Sequence, residues 1–153
     1  INNTLSVMRA LDSGFDDALY IKKVLEVKNR HTNLLSQISF SLHPNRDANN
    51  LRASFSKGLS DAKYHLRNGS GSKHFKVYIS SRTNRAKSYG FDLARSSILV
   101  SVKDYRGTII GSNKLNLIGQ STQGYPIARE NVAIKLNAMI QKEGIAKIIG
   151  LNI

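Results

Sequence analysis

Ten carboxylates and four histidines are the side chains with which this sequence could hold a metal ion or move a proton. Their spacing supports neither use. His31, His43, His65 and His74 include no pair on one helical face with a carboxylate between them, the arrangement that turns two imidazoles toward one ion. They read as surface or partly packed residues. Asp16 and Asp17 are the only adjacent acids, and adjacent side chains point apart in a helix or strand, which suits neither a glycosidase pair nor a calcium cage. No serine sits in a nucleophile-elbow context. Cysteine is absent, so disulfides, thiolate metal sites and a cysteine nucleophile are excluded. No catalytic residue, metal site or cofactor is expected, and the chain is read as a protein that acts by binding.

Base stacking is the second chemistry that the residue types allow. In "KSYGFDLA", residues 87–94, Tyr89 and Phe91 stand two apart, so on a strand they would share a face as stacking aromatics do in an RNA-recognition strand. Asp92 then falls where such a strand turns a residue into the core, and an unpaired carboxylate there costs several kcal/mol. Ala94 stands where a third aromatic is expected. "LYIKKV", residues 19–24, faintly resembles the partner motif but lies far upstream. An ordinary strand with a half-buried aromatic pair is the plainer reading. "GTIIGSNK" resembles the backbone-clamping loop of KH domains, yet Lys114 occupies the place of the second glycine and "LNLIG" then alternates like a strand.

Charge is the strongest signal. The net charge is +13, which predicts attraction to phosphate-rich or carboxylate-rich partners without choosing among them. From Ala62 to Phe91 the chain carries Lys63, Arg67, Lys73, Lys76, Arg82, Arg85 and Lys87 and no acid. This run is either a solvated loop and sheet edge or an anion-contacting surface, and only the second predicts salt-sensitive binding.

Elements that would position these residues follow from the apolar spacing. Ala48, Leu51, Phe55, Leu59, Ala62 and Leu66 recur three or four apart, which predicts an amphipathic helix over residues 45–68 behind Pro44. Pro126 opens a second helix that carries Ala128, Val132, Ala133, Leu136, Met139 and Ile140 and stops at Gly144. Between them the period is two. "KHFKVYIS" and "SSILVSVK" read as strands, and residues 96–118 as a hairpin closed around Asp104 to Gly107, with Gly107 at positive φ. "DDALYIKKVLEVKNRH" reads as a helix from Asp16 or a strand from Leu19 to Val27, and the strand is preferred. "LLSQISFSL" is a short strand or an irregular cover. "INNTLSVMRALDSG" is a short helix or lead-in, and "IAKIIGLNI" a short strand or a tail packed on the core. The expected fold class is α+β, an antiparallel sheet of about four strands with two main helices on one face.

At 153 residues the length suits one domain, read as 1–153 with 1–15 as a peripheral lead-in. No stretch approaches the roughly 18 apolar residues that cross a bilayer. The first residue is Ile1, read as the start of a processed or truncated chain with any targeting signal upstream of view.

The order of features resembles the small Gram-negative outer-membrane lipoproteins of the YajG-like kind, over about residues 24–143. "VLEVKNRH" matches as first strand, "LHPNRDANNLRASFSKGL" as a proline-led helix, "SILVSVKDYRGTII" as a hairpin and "IARENVAIKLNAMI" as the closing helix. The resemblance implies a periplasmic accessory or binding domain, lipid-anchored through a cysteine upstream of Ile1, and carries over no functional residue. The expected partner is an anionic envelope component or an acidic protein. The alternative is a cytoplasmic nucleic-acid-binding domain using Tyr89, Phe91 and the flanking cations. The sequence leaves the oligomeric state open.

Overall fold

The computed structural model describes residues 2–152. The chain divides into two units, Ile1–Leu35 and Ser36–Ile153.

The first unit is helical. Helix α1 runs Asn2–Leu11 and α2 runs Asp17–Gln37, ending just inside the second unit. Asp16 Oδ1 accepts the backbone N–H of Leu19 at 3.1 Å, satisfying one of the free amides of the first turn of α2. Arg9 pairs with Asp17. The strand expected from Leu19 to Val27 is therefore a helix. Its alanine, leucine, lysine and glutamate favour helix, whereas a strand needs a neighbour for its backbone groups. No residue of α2 is buried.

The second unit is a sheet with helices on one face. The strands are β1 Ser39–Pro44, β2 His65–Leu66, β3 His74–Ser88, β4 Phe91–Lys103 and β5 Ile109–Ser121. They form a five-stranded sheet in the order β2-β1-β3-β4-β5. Strands β3, β4 and β5 are an antiparallel meander, while β1 lies parallel to both β2 and β3. The sheet is thus mixed and five-stranded, where an antiparallel sheet of about four strands was expected. The difference is "SFSLHP", which slots in parallel because the helical crossover behind it returns the chain to the same end of the sheet.

That crossover is also shorter than the expected helix over 45–68. Asn45 caps a 3₁₀ turn, Arg46–Leu51, by accepting the Ala48 N–H at 2.9 Å. Helix α3 follows over Arg52–Asp61. Lys63 then takes a left-handed backbone, φ 67°, which ends the helix and frees His65–Leu66 to pair with β1. Helix α4, Tyr125–Glu143, has Pro126 in its first turn and stops at Gly144 as its spacing predicts. The apolar tail forms a short helix, α5 Ile145–Ile148, with Ile145, Ile148 and Ile149 buried.

One core joins these parts. Phe40, Val77, Ile79, Ile98, Val100 and Leu115 from the sheet meet Leu51, Phe55, Leu59, Val132, Leu136 and Ile148 from the helices. Each large side chain here contributes about 1.5–3 kcal/mol relative to exposure. Close approach is allowed by glycine at two places on β5. A Cβ at Gly119 would lie 1.9 Å from Ala128 O, and one at Gly111 would lie 2.7 Å from Gly150 O. Helix α4 and the tail therefore sit backbone against backbone on this strand. Lys135 Nζ and Asn131 Nδ2 then reach from α4 to the carbonyls of Ile118 and Gln120, at 2.6 and 2.7 Å.

Candidate functional site

Because successive residues of a strand point to opposite faces, the core residues fix what the other face carries. Val77 pairs with Val102, Ile79 with Val100 and Leu115 with Ile98 on the helix-covered side. The alternate positions bring Lys76 and Arg82 of β3, Arg95 and Lys103 of β4 and Lys114 of β5 onto the open face. Serines 80, 97, 101 and 112 stand between them. Among the described residues none of these five cations has a carboxylate within ion-pair distance, and none of the strand positions on this face is an acid.

Like charges face each other directly on it. Lys76 is the register partner of Lys103, an arrangement that is unfavourable without a counter-charge. Lys103 Nζ leans instead over the Tyr78 ring, 4.7 Å from its centroid, and Tyr78 stacks on His43 at 5.0 Å. The cation thereby gains part of its missing partner from a ring face. A shallow recess of about 250 Å³ opens beside these groups, lined in part by His43, Tyr78, Leu99 and Ser101.

His43 continues from this recess into a hydroxyl and imidazole chain. Ser41 Oγ stands 2.9 Å from His43 Nε2 and 3.1 Å from His74 Nε2, and Ser39 Oγ stands 2.9 Å from His74 Nδ1. A hydroxyl can donate to one imidazole nitrogen and accept from another, so the chain satisfies its own polar groups. Both imidazoles are held below the ordinary value of 6.5. Burial is the main cause for each, helped by Lys76 and Arg52 at His43 and by Arg67, Lys76 and His43 at His74. The serine lies against imidazole, and among the described residues both rings are hydrogen-bonded to serine hydroxyls and to no carboxylate.

The cations singled out from the sequence are dispersed. Lys76 and Arg82 belong to the open face. Arg85 and Lys87 lie on the opposite face at the hairpin end, where Arg85 bonds Asp92 at 3.0 Å and sits 5.4 Å over the Tyr125 ring. Lys63 follows α3, and Lys73 meets the Gln37 side chain. Arg67 and Arg52 line a recess of about 230 Å³ with Ser56 and Asn68. Sequence reasoning passed over Arg95, Lys103 and Lys114. The signal was available in the alternation of β4 and β5, since every residue between Ile98, Val100 and Val102 must face away from the core.

"KSYGFDLA" is not one strand. Ser88 pairs with Phe91, and Tyr89 and Gly90 form the two-residue turn between β3 and β4, both at positive φ, 47° and 81°. Tyr89 is 98% exposed and Phe91 38%. Asp92, the residue that spoils a stacking strand, is the partner of Arg85.

Comparison with solved structures fits this architecture. A minor lipoprotein from Acinetobacter baumannii superposes with a TM-score of 0.59 at 16% identity, over 74% of this chain and 95% of that one. The chain shares its fold with that protein. Lipoprotein GNA1162 from Neisseria meningitidis matches with a TM-score of 0.46 at 14% identity, over 68% of this chain and 99% of that one. Rare lipoprotein B from Shewanella oneidensis matches with 0.42 at 11% identity, over 69% and 96%. No family model and no curated protein matches the sequence. No helix among the described residues is long and apolar enough to cross a membrane.

Proposed function

We propose that this chain is a non-catalytic accessory domain of a Gram-negative cell envelope, of the YajG-like kind, that binds an anionic envelope component through the open face of its sheet. The observation that carries the reading is the set Lys76, Arg82, Arg95, Lys103 and Lys114 on a face without acids. Strands that only needed solvation would alternate charge signs, which removes like-charge opposition. This face retains Lys76 opposite Lys103, and an anionic partner is what relieves it. The shared lipoprotein fold supports the location at the level of architecture.

Neutralising the face tests it. In the Lys76→Gln/Lys103→Gln/Lys114→Gln variant, co-sedimentation with anionic vesicles and with peptidoglycan is expected to fall at least tenfold at low salt. A Lys57→Gln/Lys142→Gln control, outside the face, should bind like the parent. Equal loss in both variants would mean that net charge alone drives binding, and the proposed face would be wrong. Tighter binding to single-stranded RNA than to either envelope anion would favour the nucleic-acid reading instead.

A further inference from the structure

The turn at Tyr89 is expensive in a way that folding does not explain. Two-residue turns of this hand favour Asn-Gly or Asp-Gly because both central residues need positive φ. Here a tyrosine occupies the first position at φ 47°, and the residue is 98% exposed, with nothing gained from burial. Beside it Phe91 and Ile118 stay 38% and 47% exposed, and with Leu93 they line an open groove of about 380 Å³.

Cations flank this apolar end on both faces of the hairpin. Arg95 is the register partner of Ile118, so a guanidinium begins where the groove ends. Lys87 lies on the opposite face, two residues before Tyr89. Asp92, the acid near the tip, is already held by Arg85.

We infer that the β3–β4 hairpin tip is an anchor for an anionic phospholipid bilayer, with Tyr89 and Phe91 entering the interface and Arg95 and Lys87 resting on lipid phosphates. Amphipathic rings prefer the headgroup level, where one end is apolar and the other wet. Juxtaposed cations add attraction to an anionic leaflet. A base-stacking platform would instead place both rings on the sheet face, and Tyr89 stands in the turn beyond it. The inference deepens the binding reading above by naming the partner of one end of the open face.

The chain has no tryptophan, so Tyr89→Trp in the full chain supplies a single reporter. With vesicles of 30% phosphatidylglycerol in phosphatidylcholine its emission is expected to shift to the blue, and brominated acyl chains should quench it. Pure phosphatidylcholine should give little shift. Tyr89→Ser/Phe91→Ser, with an unchanged far-UV circular dichroism spectrum, should bind the anionic vesicles at least tenfold more weakly. Vesicle binding with unshifted emission, undiminished binding by the double variant, or a shift with RNA and none with vesicles would each overturn the anchor. The lysine variants of the preceding section act at the other end of the face, so failure of that reading leaves the tryptophan readout unaffected.

Discussion

His74 is the residue whose environment makes the sharpest solution prediction. It is 3% exposed, hydrogen-bonded through both ring nitrogens to serines, and surrounded by Arg67, Lys76 and His43. Burial and these charges lower its folded pKa below the ordinary 6.5. The unfolded chain then takes up a proton at a higher pH than the folded one does. Stability from this group is complete above about pH 6.5 and is lost as pH falls toward the lower folded value. The urea midpoint should therefore decline between about pH 7 and pH 5, and His74→Gln should flatten that decline while lowering the midpoint at pH 7. A midpoint in the variant that still falls as steeply would assign the effect to other groups.

At the level of elements, the hairpin turn holds strain that can be relieved. Replacing Tyr89 by Asn keeps a residue that tolerates the left-handed region and should stabilise the chain by about 1 kcal/mol, read as a higher urea midpoint. The same substitution removes an aromatic from the tip, so added stability should come with weaker vesicle binding. Elements set by local signals were legible in the sequence. Pro126 and Gly144 bracket α4, and the period-two runs around Gly107 give the β4–β5 hairpin, with Gly107 at φ 83°. What was not legible depends on distant partners. Ser39–Pro44 becomes a strand by pairing with residues some way down the chain, His74–Ile79, and nothing local reports that pairing. Leu19 to Val27 satisfies either period until Asp16 caps it as a helix. The site shows the same division, since the acid-free run Ala62–Phe91 is contiguous in sequence but scattered by the pleat over both faces. Arg95, Lys103 and Lys114 join Lys76 and Arg82 only through strand register.

On the scale of the whole second unit, the sheet has two sides that do different work. One is closed by α3, α4 and α5 over a continuous core. The other is left to cations, hydroxyls and the apolar groove at the hairpin end. The way the sheet ends sideways matters as well. Strand β2 is two residues long, and among the described residues β5 has no strand beyond it. An open edge of that length invites another copy to add on and grow into a fibre. Lys135 and Asn131 occupy the carbonyls of Ile118 and Gln120, and Gly150 lies against Gly111 at the far end. With those groups already engaged, fewer acceptors remain for an added strand. In Asn131→Ala/Lys135→Ala, agitated solutions should scatter light and bind thioflavin T well before the parent does, at a temperature where circular dichroism shows both proteins folded. The same side chains that seat a helix thus also decide how long a concentrated solution of this protein stays clear.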